Sequence, residues 1–152
     1  MTTEQTPGPS PFSNPKDALS LARKAPSVLS KTSSIATTFP LTLLSAPESP
    51  ELWMEVASLF YACLRTGDDK SAHLCLEKLT QRFGEDNDRV MGMRGLYQEA
   101  VAQNEDELRK ILAEYNKILV ESPVNIPIMK RRIALVKSLG REGEAINALT
   151  DF

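Results

Sequence analysis

Four cations crowd one short stretch of this chain: Lys130-Arg131-Arg132, then Lys137. Cations so placed hold carboxylates or phosphates by charge, and arginine adds a fixed fork of donors. Side chains for bond-making chemistry are scarce. His73 is the only histidine and has no Ser–Asp or Cys–His pattern around it, so a hydrolytic triad lacks its parts. Gly92-Met93-Arg94-Gly95 is too short for a phosphate-cradling loop and lies within a helical stretch, not after a strand. Cys63 and Cys75 are too few for a disulfide framework and read as two small buried hydrophobes. His73 is a lone histidine that would need several carboxylates to complete a zinc site, so none is expected. The sequence predicts no catalytic residue, no metal and no cofactor.

The elements that must position those cations are helices. Ser49-Pro50-Glu51 is a helix start, and Trp53, Val56, Ala57, Phe60, Tyr61 and Leu64 follow at three- and four-residue steps. Thr66-Gly67-Asp68 is a turn with a glycine suited to a left-handed cap. A partner helix is expected over Asp69–Phe83, then helices over about 88–104, 105–121 and 126–140, and a last one from about Glu142. Ile111, Tyr115 and Ile118 match Ala145, Leu149 and Phe152 one 34-residue step later, with Pro123 closing the first unit. A step of about 34 residues with apolar residues at these offsets is the signature of tetratricopeptide repeats. The expected fold is therefore all-α, a solenoid of helical hairpins with about three repeats, the last truncated. Ala72 to Ile111 is 39 residues, so extra residues are expected to lengthen helix 88–104 and its turn. A helix stopping at Phe152 leaves apolar surface uncovered, which predicts either the N-terminal part of a longer repeat protein or a partner that covers the open end, the first being favoured.

In such a stack the first helix of each hairpin lines the inner face. Lys130, Ala134 and Lys137 are expected to point there, with Arg131 beside them, forming a basic strip for an acidic partner segment. The competing reading is a solvated helix face whose lysine stems cover apolar neighbours. Tyr61 and Tyr97 are candidate contact residues on the same face, against half-buried core rings with wet hydroxyls.

Composition bounds the rest. With 152 residues, 41% hydrophobic and 25% charged, the chain holds one domain and a tail. A net charge of −2 and no aromatics interleaved with the cations argue against nucleic acid. No run approaches the roughly 18 apolar residues of a membrane span. Residues 1–48 read as a Pro/Ser-rich arm with a short helix near 15–25, begun by Asn14-Pro15 and limited by Pro26; residues 49–152 are the repeat domain. Phe39 to Leu44 is expected to pack on the repeats.

The run Ser71-Ala72-His73-Leu74-Cys75-Leu76-Glu77-Lys78-Leu79 resembles subunit 2 of the endoplasmic reticulum membrane protein complex. So do Arg82-Phe83, Tyr115-Asn116-Lys117-Ile118-Leu119, Glu121-Ser122-Pro123, Lys130-Arg131-Arg132-Ile133-Ala134 and Gly143-Glu144-Ala145-Ile146. The similarity covers about 52–152. It implies a non-catalytic scaffold on the cytosolic face of the endoplasmic reticulum, peripheral and held by other protein subunits of a membrane complex. That complex inserts tail-anchored and multi-spanning membrane proteins. The Pro/Ser-rich start and the 105–109 insertion depart from the pattern. The alternative is a generic tetratricopeptide adaptor or co-chaperone module gripping acidic peptides. Such clamps need Lys, Arg or Asn at matched positions of successive repeats, where the first repeat has Met54 and Ser58.

Overall fold

The computed structural model describes residues 14–33 and 49–150, all of its regular structure being helical. Its helices are α1 Pro15–Ala22, α2 Ala25–Ser33, α3 Pro50–Thr66, α4 Asp69–Phe83, α5 Asp88–Val101, α6 Glu105–Glu121, α7 Ile126–Ser138 and α8 Glu142–Thr150. The all-α reading and the helical-hairpin pattern hold. The segment Phe39 to Leu44 and Phe152 lie outside the described residues.

Asparagine and serine set most of the starts. Asn14, Ser49, Asn87, Asn104 and Asn125 each accept a backbone N–H of the following turn. An N-cap of this kind satisfies a donor the helix cannot, and contributes about 1 kcal/mol. At α6 the arrangement is reciprocal. Asn104 accepts from Glu107 N–H at 3.0 Å, and the Glu107 carboxylate reaches back to Gln103 N–H at 2.8 Å. This cap starts α6 at Glu105, where the sequence places it, and α5 ends at Val101, short of the expected 104. At the other end of α3, Gly67 at φ 73° lets Asp68 N–H return to Cys63 O at 2.9 Å, closing the helix as its sequence suggests.

Two compact units divide the chain, residues 1–78 and 79–152, and α4 begins in one and ends in the other. In the first, α1 and α2 pack on α3. Ala18, Ala22, Ala25 and Val28 are buried, as are Val56, Leu59, Phe60 and Cys63 of α3. Pro26 does not simply end the first helix. It is the second residue of α2, where a missing N–H costs nothing, so a proline expected as a stop begins a new helix.

In the second unit α5 packs on α6 and α7, and α7 packs on α6 and α8. Ile111, Leu112, Tyr115, Ile128, Leu135, Val136 and Ala145 form its core. The glycines of α5 are contact surfaces. A Cβ on Gly92 would meet Pro127 Cβ at 2.7 Å, and one on Gly95 would meet Tyr115 Cε1 at 2.6 Å. Helices this close need a residue without a side chain at the touching point. Tyr115 is thereby buried, whereas Leu149, one 34-residue step later, is 59% exposed.

Candidate functional site

The basic stretch lies on α7, whose start is fixed by Asn125. This side chain is fully buried and uses its whole amide. Its Oδ1 accepts from Ile128 N–H at 3.1 Å, and its Nδ2 donates to Asp88 Oδ1 at 3.1 Å and toward Met91 Sδ at 3.6 Å. One residue therefore caps α7 and ties it to the first turn of α5.

A helix turns about 100° per residue, so consecutive cations cannot share a face. Arg131 points to α5 and α6. Its Nε donates to Glu99 Oε1 at 3.0 Å, its Nη2 donates to Glu99 Oε2, and the Tyr115 hydroxyl donates to Glu99 Oε1 at 2.6 Å. The pair is mostly enclosed, with side-chain exposure of 27% for Arg131 and 12% for Glu99. Burial pushes the Tyr115 hydroxyl well above the usual phenol range, and its bond to the Glu99 carboxylate adds to this. Burial works against the Arg131 charge, yet Glu99 outweighs it and holds the guanidinium above its ordinary value. Arg132 turns the other way. It donates from Nε to Asn116 Oδ1 at 2.7 Å and pairs with Glu144 at 3.3 Å, joining α6, α7 and α8.

The lysines behave differently. Lys130, Ala134 and Lys137 are all exposed, at the spacing expected of one face. Among the described residues neither lysine has an ion-pair partner. The four cations thus divide into two arginines inside the framework and two lysines outside it. Tyr61 is half-buried on α3 of the first unit, edge-on to Phe60 at 5.2 Å, and Tyr97 is half-buried on α5 of the second.

A shallow groove of about 370 Å³ lies between the start of α6 and the α7–α8 turn, with Leu112, Ala113 and Leu139 among its walls. Its arginines are already matched: Arg109 with Glu105 at 2.6 Å and Arg141 with Glu144 at 2.5 Å. It therefore offers an anion little. Cys63 and Cys75 are both fully buried. Burial, with Asp68 adding to it, pushes the Cys63 thiol up to about 11. Burial, with Cys63 next and then Asp68, pushes Cys75 up to about 12. Such thiols are poor nucleophiles. Among the described residues no group of three or more His, Cys, Asp or Glu side chains is placed to hold a metal ion.

The spacing places Lys130, Ala134 and Lys137 on one side of a helix, but it does not bring out Glu99, Tyr115 and Asn125 as parts of the framework. The signal for Glu99–Arg131 is weak, since the two residues are 32 apart and lie on different helices. Asn125 had a local cue, an asparagine three residues before Ile128 at a helix start.

No family model matches the chain. TPR repeat protein oca3 of Schizosaccharomyces pombe is 34% identical over 102 residues, which are 67% of this chain and 34% of that protein. ER membrane protein complex subunit 2 of Xenopus tropicalis is 33% identical over 102 residues, 67% of this chain and 33% of its own length. The protein of the same name from Dictyostelium discoideum is 28% identical over 105 residues, 69% of this chain and 31% of its own. The chain thus spans about a third of the length of the curated relatives it matches.

Proposed function

We propose that this chain, which belongs to the ER membrane protein complex subunit 2 family, serves as a non-catalytic scaffold subunit of the endoplasmic reticulum membrane protein complex. In that role it supports the insertion of tail-anchored and multi-spanning membrane proteins by holding other subunits in place. It works from the cytosolic face as a peripheral subunit, with no nucleic acid involved. Attachment to the membrane runs through partner proteins in this reading; no helix among the described residues is long and apolar enough to cross a membrane.

The observation that carries this reading is the division of charge on α7. Arg131 and Arg132 fix the helix through Glu99, Asn116 and Glu144, while Lys130 and Lys137 stand outward on that rigid support. Pre-positioned charge on a stiff helix favours docking because little order remains to be imposed on binding. Arg131 is then a support of the docking face and not a contact on it. Tyr61 and Tyr97 add half-buried rings of the kind that serve as contact residues.

The test is recovery of a tagged chain from detergent-solubilised membranes, read by mass spectrometry. Integral membrane proteins with cytosolic segments are the expected companions. Recovery of soluble proteins alone would refute the scaffold reading. Recovery of a chaperone through its acidic C-terminal peptide would favour the adaptor alternative.

A further inference from the structure

On α7 the residues left outside the framework form one line. Ile126, Lys130, Ala134 and Lys137 follow at steps of four, four and three, which keeps them on one side of a helix. All four are exposed, while Ile128, Leu135 and Val136 are buried. The turn before α7 widens the apolar end, because Val124 is 79% exposed beside Ile126 at 51%. Along about 16 Å of helix axis the surface therefore reads apolar, cation, small residue, cation.

We infer that this line seats an acidic amphipathic segment of a partner protein. The segment places an aliphatic side chain on Val124 and Ile126, and two carboxylates about 10 Å apart on Lys130 and Lys137. Ala134, between the lysines, leaves room for the partner's backbone to approach. The inference rests on the scaffold reading and gives its docking face a partner chemistry. Complementary charge supports it, since both lysines lack a carboxylate among the described residues while the neighbouring arginines have theirs. An anionic membrane surface is the poorer match. Recognition of acidic lipid takes clusters of about four to eight cations, and here two lysines stand in a chain of net charge −2, with Glu121 exposed at the end of α6.

The test uses the full chain and a synthetic helical peptide, capped at both ends, of pattern Leu-x3-Glu-x6-Glu-x3-Leu. Its symmetric pattern allows docking in either direction. A second peptide has lysine for both glutamates, and a third probe is phosphatidylcholine vesicles containing phosphatidylserine. The glutamate peptide should bind, more weakly at high salt. The double variant Lys130→Glu, Lys137→Glu should lose it roughly tenfold or more, since each exposed pair is replaced by a repulsion. The lysine peptide should restore binding to that variant, whose far-UV circular dichroism should match the unaltered chain. Equal binding of the glutamate peptide by both proteins overturns the inference, as does its failure to bind the unaltered chain. Vesicle binding in the absence of peptide binding also overturns it, in favour of lipid. The membrane-protein recovery separates the two levels. If the unaltered chain and the double variant recover the same integral proteins, the strip is wrong and the scaffold stands. If the unaltered chain recovers none, the scaffold fails, and the peptide titration still judges the strip.

Discussion

Removing the Glu99 carboxylate tests whether the framework under α7 is built as described. In Glu99→Ala the Arg131 guanidinium keeps its place with no counter-charge, and the Tyr115 hydroxyl loses its acceptor. Breaking a fully buried pair from one side costs about 3–5 kcal/mol. Arg131 is 27% exposed, so water recovers part of that loss. The stranded hydroxyl adds about 1 kcal/mol. The expected cost is roughly 3 kcal/mol, which for a chain of this length lowers Tm by about 6–12 °C. Replacing both charges, as in Glu99→Met with Arg131→Met, should cost only about 1 kcal/mol, because no unpaired charge remains. Urea unfolding followed by far-UV circular dichroism, run on both single methionine variants and the double, gives the coupling directly. A coupling of at least about 2 kcal/mol is expected, since the Glu99 change alone costs about 3 kcal/mol, the double change about 1, and Arg131→Met adds its own loss. Costs below about 0.5 kcal/mol for each single change, or strict additivity, would show that Glu99 and Arg131 do not act as a pair.

Other changes follow the same geometry. Gly95→Ala drives a methyl into the Tyr115 ring, and should cost about 1–3 kcal/mol in the same unfolding assay. Asn125→Ala removes the cap of α7 and the partner of Asp88, for an expected loss of about 2 kcal/mol. Lys130→Gln with Lys137→Gln touches nothing buried and should leave stability within about 0.5 kcal/mol. Cys63 and Cys75 should resist iodoacetamide at pH 8 in the native protein and react in urea, as mass measurement would show. Their folded pKa values, about 11 and about 12, lie above the 9.0 of a free thiol, so folding favours the protonated forms. That contribution is complete below pH 9 and lost as pH rises through 11 to 12. Stability of the native chain should therefore decline more steeply over that range than that of Cys63→Ala, Cys75→Ala.

Much of the helical layout was legible because local chemistry writes it. Asn and Ser caps, Gly67 and the three- and four-residue spacing act within one turn, so the bounds of α4 and α6 read directly from the residues. Pro26 shows the limit of that reading. Proline forbids a helix interior but welcomes a first turn, and its identity alone does not say which. The candidate site was half legible. Lys130 and Lys137 are both exposed, as an inner basic strip and a solvated helix face would each have them, but Arg131 looks like a member of the same strip until Glu99 appears, 32 residues away. Gly92 and Gly95 were equally opaque, since what demands them is a proline and a tyrosine on other helices.

The division between arginine and lysine on α7 makes its two jobs separable by covalent chemistry. Acetylation or carbamylation neutralises primary amines and leaves guanidinium groups alone. Modification of Lys130 and Lys137 would discharge the outward face, while the Glu99 and Glu144 pairs stay ionised and the hairpins keep their shape. Amine modification would thus strip the exposed charge from α7 in a protein that remains folded.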